Sequence, residues 1–201
     1  MKILIVSNKK AKWDKAYAYR RAFNQLDYEV DILGINNLYH ISLFNRFLNF
    51  IRKLSNITPV YYKVSKLNKG IVRKVTKEKP DFVFFMKPVN IKPRTLKKIK
   101  KMGSKIFSWY PDDIFYKPNA STYFYKSIPL YNCHFTTKSF NISEVLEREA
   151  RQAKFLSHAV DTQIHHPIKL GKNAYAKIGS WNISEDAKGI YSVLNYINYG
   201  N

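Results

Sequence analysis

Ile106-Phe107-Ser108-Trp109-Tyr110-Pro111-Asp112-Asp113 runs from an apolar strand pattern directly into a polar turn. The same change recurs downstream, where residues 131–135 lead into Thr136-Thr137-Lys138 and residues 154–156 lead into Ser157-His158-Ala159-Val160-Asp161. If residues 106–108, 134–135 and 154–156 lie in one parallel sheet, their carboxyl ends share an edge, and open α/β sheets bind ligands at that edge. Carboxylates, hydroxyls, a lysine and a histidine are then gathered around one cleft.

Working outward, strand and helix patterns alternate along most of the chain. Residues 3–6 read as a buried parallel strand, residues 14–26 as a helix with apolar spacing around Ala18, Ala22 and Phe23, and residues 28–33 as a second strand. Residues 41–54 place Ile41, Phe44, Phe47, Leu48, Ile51 and Leu54 at intervals of three or four, with Arg46, Arg52 and Lys53 on the remaining face, so a basic amphipathic helix is expected. Its apolar side suits either the protein core or a membrane surface. Val64, Leu67, Ile71 and Val75 mark another helix that stops before Pro80, and residues 81–85 form a strongly apolar strand. Pro93 fits the first turn of a helix that Gly103 ends in a left-handed cap. Asn141 with Glu144 resembles a capping box for a further helix. This alternation predicts a right-handed, doubly wound, mainly parallel Rossmann-like α/β sheet. A domain over residues 1–168 is expected, followed by a linker and a strand–helix pair (175–181 and 184–196) over residues 169–201.

Lys and Arg number 35 against 14 Asp and Glu, a formal charge of +21 that attracts phosphates, anionic lipid or nucleic acid. There is no helix-turn-helix, zinc-finger or RNA-binding signature, so no specific nucleic-acid partner is expected. The single cysteine, Cys133, excludes an internal disulfide framework and suggests a reducing, cytoplasmic setting. No window approaches 18 uninterrupted apolar residues, which argues against a membrane span. Ser7-Asn8-Lys9-Lys10 follows the first strand without glycine, and Gly34 is the first glycine of the chain, so neither a dinucleotide fingerprint nor a P-loop is present there.

The order of Met1–Val6, Arg21-Ala22-Phe23 with Tyr28-Glu29-Val30, Lys79-Pro80-Asp81, Trp109–Asp113, Phe135–Lys138, His158–Asp161 and Ile178–Trp181 resembles the N-terminal half of GT-B glycosyltransferases. The nearest likeness is to the CgeB-like family of spore-maturation and spore-coat enzymes. Ser157 and Asp27 depart from that pattern, standing where proline and a helix-ending glycine are usual. The resemblance implies an acceptor-side domain facing a donor-binding domain, of which residues 169–201 would be only the start. It implies transfer of a sugar from a nucleotide-sugar to a glycan or protein acceptor at the cell surface or spore coat. No cofactor beyond that co-substrate is implied, and a second chain or domain would complete the donor site. Peripheral contact with an anionic membrane stays open. The alternative is a non-catalytic Rossmann-like module that binds carbohydrate or protein.

Sugar transfer needs a group that takes the acceptor proton or stabilises the oxocarbenium-like centre, and Asp112, Asp113 and His158 qualify. The expected substrate-binding set at the strand ends is Ser7, Asn8, Lys87, Trp109, Tyr110, Thr136, Thr137, Lys138 and Asp161. Each has a structural reading beside the functional one. Asp112 or Asp113 can form an Asx-turn or cap residues 114–116, Asp161 can cap its own turn, and the threonines can bond locally. His158 can be a buried hinge residue. The adjacent His165 and His166 cannot share a helical face, and the lone Asp-Asp pair is weak evidence for a metal, so none is expected.

Overall fold

Six parallel strands alternate with helices in the order β1 (Lys2–Ser7), α1 (Lys15–Asn24), β2 (Glu29–Gly34), α2 (Val64–Glu78), β3 (Phe82–Met86), α3 (Pro93–Lys101), β4 (Lys105–Tyr110), α4 (Thr122–Tyr125), a 3₁₀ turn (Ile128–Leu130), β5 (Cys133–Thr136), α5 (Asn141–Leu146) and β6 (Ala153–Phe155). This computed structural model describes residues 1–7, 15–35, 47–48, 50–51, 64–116 and 119–158, all within one unit, Met1–Asp161. The expected boundary after residue 168 and the strand–helix pair beyond it lie outside the described residues. So does most of the expected helix over residues 41–54, of which residues 47, 48, 50 and 51 are helical.

The sheet order is β2-β1-β3-β4-β5-β6 and every neighbouring pair is parallel. It is the Rossmann-like α/β sheet that the alternation predicts. Because right-handed crossovers put a connecting helix on the face set by the direction of travel, the step from β1 to β2 places α1 on one face. The steps from β2 onward travel the other way and place α2 to α5 on the opposite face. The core divides accordingly. Leu67, Ile71, Val75, Leu96, Ile99, Phe124 and Val145 pack with Leu4, Val6, Val83, Phe85, Ile106 and Tyr110 on the many-helix face. Ala16, Tyr19 and Phe23 of α1 pack with Ile3, Ile5, Phe84, Met86 and Trp109 on the other.

Two local features differ from the periodic reading of the sequence. The inward side of α1 is Ala16, Tyr19 and Phe23, whereas Ala22 is exposed. Rings reach Phe84 and Trp109, with centroids 5.4 and 5.7 Å from Tyr19, which an alanine methyl cannot do. Short α4 and the 3₁₀ turn were not expected, since four and three residues are too few to display a period.

Helix α1 ends in a Schellman motif. Tyr28 N–H donates to Phe23 C=O and Asp27 N–H to Asn24 C=O, both at 3.1 Å, and the Phe23 and Tyr28 rings meet at 6.2 Å. Asp27 occupies the left-handed position with φ 60°, doing the work usually given to glycine. Glycine lacks the Cβ penalty there, so Asp27→Gly is expected to raise the unfolding free energy by up to about 1 kcal/mol in urea denaturation.

His134 is 1% exposed on the many-helix face. Its Nε2 lies 2.9 Å from the Ile128 carbonyl, which can only accept, so Nε2 carries the proton and Nδ1 accepts from the Ser108 hydroxyl at 2.6 Å. Burial holds this imidazole down to about 4. Unfolded, it takes a proton near 6.5, so the unfolded chain binds more protons between those values and stability falls as pH drops through that window. Denaturation at pH 7 and pH 4 should differ by on the order of 3 kcal/mol from this group, and His134→Gln should flatten the dependence.

Candidate functional site

At the carboxyl edge of the sheet, the strand order reverses between β1 and β3, and this switch point is where open α/β sheets hold ligands. Ser7 ends β1 there and is buried, while Lys87 follows β3 with φ 50°, a left-handed conformation that few non-glycine residues adopt. Lys87 N–H donates to the Trp109 carbonyl at 2.9 Å, continuing the ladder with β4 by one residue. The turn carries the Lys87 ammonium to Asp112, whose Oδ2 lies 2.5 Å away. About a third of each side chain or more stays exposed, so the pair contributes about 0–1 kcal/mol to stability. Its effect is positional: a cation and a carboxylate stand together above the ends of β3 and β4.

Asp113 has a different task. Its Oδ1 accepts from Phe115 N–H at 2.9 Å in an Asx-turn and from Asn141 Nδ2 at 3.1 Å, and its carbonyl accepts from Asn119 Nδ2. Asn141, fully buried, also accepts Ile114 N–H on Oδ1 and donates to Glu144 at 2.7 Å. The expected capping box is therefore not formed as read. Asn141 is the first residue of α5, its amide is drawn into the loop after β4, and the N-cap is Phe140 with no side-chain cap bond.

A second cluster forms on the α1 face of the same edge. His158 is exposed rather than a buried hinge residue, and its ring meets Trp109 edge-on at 5.8 Å. Lys15 Nζ, at the start of α1, lies 3.4 Å from His158 Nδ1 and 5.3 Å from the centre of the Trp109 ring. An ammonium can only donate, so in this arrangement Nδ1 accepts. The Trp109 indole N–H is buried and has no hydrogen-bond partner among the described residues. Among the described residues no carboxylate forms a salt bridge with Lys15, leaving a cation, an imidazole and an indole N–H together near the helix terminus.

The other expected residues are placed as follows. Tyr110 is fully buried on the many-helix face and donates its hydroxyl to Asn119 C=O. Thr136 is buried and accepts Lys138 N–H at 3.1 Å, a local turn bond. Thr137 donates to Pro111 C=O at 2.7 Å and ties the β5 loop to the Pro111–Asp113 turn. Lys138 is exposed beside it. Asn8 and Asp161, with His165 and His166, lie outside the described residues. Lys15 was not anticipated, because no spacing in the sequence brings position 15 to position 158.

Asn141 positions the Asp112-Asp113 turn from a distance of 28 residues. Asn141→Ala leaves the buried Ile114 N–H without its acceptor and is expected to cost about 2 kcal/mol, with cleavage by a non-specific protease concentrating in the loop after Pro111. No protein-family model and no curated protein matches the chain.

Proposed function

We propose that this unit is the acceptor-side half of a GT-B-type glycosyltransferase of CgeB-like character. It would serve transfer of a sugar from a nucleotide-sugar to a cell-surface or spore-coat acceptor on the cytoplasmic side. One observation carries the reading: a single sheet edge presents the Lys87–Asp112 pair and the Lys15–Trp109–His158 cluster from the ends of β3 and β4, the start of α1 and the turn after β6. Hydroxyl-rich ligands suit the first group, since Asp112 accepts from a sugar hydroxyl while Lys87 donates to a second oxygen. Phosphate oxygens suit the second, where the exposed Lys15 Nζ and His158 Nε2 are both donors. His158 is the exposed candidate for proton transfer, with Asp112 beside it in function. Asp113 is assigned a supporting part, because its carboxylate is engaged by backbone and Asn141.

The tight pairing of Asp112 with Lys87 also favours the second reading, a carbohydrate-binding module without turnover, since one carboxylate oxygen is already occupied by the ammonium. Calorimetric titration with oligosaccharides and nucleotide-sugars, combined with a labelled-sugar transfer assay, separates the two. Transfer that is lost in His158→Ala and reduced at least about 10-fold in Asp112→Asn is expected. Saccharide binding that Lys87→Ala weakens, with no transfer, would favour the binding module. Absence of binding to either ligand class would remove both readings.

A further inference from the structure

The outer sides of α2 and α3 form a cationic platform that starts at the loop carrying Lys87. On α2, Lys66, Lys69, Arg73 and Lys77 are exposed and follow one another at three- or four-residue intervals, on the side opposite the buried Leu67, Ile71 and Val75. On α3, Arg94, Lys97, Lys98 and Lys101 are exposed, away from the buried Leu96 and Ile99. Both buried sides belong to the core cluster on the many-helix face of the sheet, so both cationic sides look outward from that face. The two helices run side by side in the same direction. Lys92 Nζ reaches Ser65 Oγ at 2.9 Å near one end, and Thr76 Oγ1 reaches Met102 Sδ at 3.7 Å near the other. The cations therefore stand on two parallel ridges, and along α2 the row from Lys66 to Lys77 is roughly 16 Å long at 1.5 Å per residue.

The amino ends of the ridges are tied to the sheet-edge site. Asn68 of α2, 3% exposed, donates from Nδ2 to the Asn90 carbonyl at 2.9 Å and accepts Lys92 N–H on Oδ1 at 2.8 Å. Asn90 and Lys92 lie in the loop that runs from Lys87 to the start of α3, so the first turns of both helices meet the loop from which Lys87 reaches Asp112. No acid interrupts the ridges. Helix α3 contains none, and the single acid of α2, Glu78, is turned inward between Lys2 and Lys74 at 2.8 and 3.2 Å.

We infer that the ridges are a track for a linear acidic polysaccharide, the acceptor chain of the proposed transfer, with its anionic groups on the α2–α3 cations and one end at the Lys87–Asp112 pair. The identity of the chain rests on that functional reading, since hydroxyl recognition at the sheet edge is what makes it a glycan. Charge complementarity alone attracts any polyanion. Every exposed residue within the two helices is polar, so the platform offers no apolar side chain to an acyl layer and no ring to a nucleic-acid base. A polymer that carries both anions and hydroxyls uses the ridges and the edge together.

Titration of the full chain with polygalacturonate, neutral dextran, duplex DNA and phosphatidylglycerol–phosphatidylcholine vesicles at matched salt tests this. Tightest binding to polygalacturonate is expected, weakening as salt rises because neutralised charges release counterions. A K97Q/K98Q/K101Q variant should bind it about 10-fold more weakly, with a shallower salt dependence. These side chains are exposed, so its thermal midpoint should stay at the parent value, which separates lost binding from lost folding. In the transfer assay the same variant should raise KM for an acidic acceptor and leave kcat and the use of a neutral acceptor unchanged. Polygalacturonate binding that the variant weakens, with no transfer, upholds the track and counts against the transferase reading. Transfer without preference for acidic acceptors upholds that reading and overturns the track. Equal binding to dextran, tighter binding to DNA or vesicles, or a triple variant that binds polygalacturonate like the parent would also overturn it.

Discussion

The handedness of the strand crossovers governs this structure. A wholly parallel sheet needs a crossover between successive strands, and each must be right-handed. With β1 between β2 and β3, one crossover travels in one direction and the rest in the other. Of the helices α1 to α5, the ten-residue α1 therefore faces one side of the sheet and the other four face the opposite side. Large rings compensate for the small cover: Phe82, Phe84, Phe107, Trp109 and Phe135 form a connected aromatic layer there, with neighbouring centroids 5.4–6.4 Å apart where they meet each other or Tyr19. The abundance of phenylalanine and tyrosine in the composition has this structural use.

Acidic residues are few, and their placement explains how a chain of charge +21 stays folded. At the amino edge of the sheet, Lys2 bridges Glu29 and Glu78, Lys74 bridges Asp31 and Glu78, and Asp81 accepts the Lys2 backbone N–H. Hydrogen bonds from Lys2 and Lys74 hold Glu78 down to about 2. These acids join β1, β2 and α2 at one edge and do not neutralise the outward lysines. Repulsion among those lysines is left to solvent and salt to screen, which is tolerable on exposed ridges. The same asymmetry gives the molecule a strongly cationic side.

At the opposite edge, Asp112 and Asp113 show how adjacent identical side chains acquire separate tasks. The backbone turns after Pro111, so Asp113 closes an Asx-turn and meets Asn141 across the loop, while Asp112 meets Lys87. Lys87 reaches it because its own backbone is left-handed. His134 and Ser108 illustrate the contrary case, a histidine beside a hydroxyl that is sealed in the core and held neutral.

Period and punctuation were enough to identify most elements. The apolar runs of β1, β3 and β4, the three- and four-residue spacing of α2, Pro93 at the start of α3 and Gly103 at its end all act locally, so their neighbours in sequence suffice to read them. Parallel alternation likewise told which loops share an edge. Sequence could not tell which side chains of those loops meet, because Lys87 with Asp112, Lys15 with His158 and Asp113 with Asn141 are separated by 25, 143 and 28 positions. Such contacts depend on strand order and on single backbone dihedrals, which leave no periodic trace. Burial was equally hidden: Tyr110 and Thr136 sit at strand ends like Trp109, yet the pleat turns them toward the many-helix face, and only the assembled layers decide which face is closed.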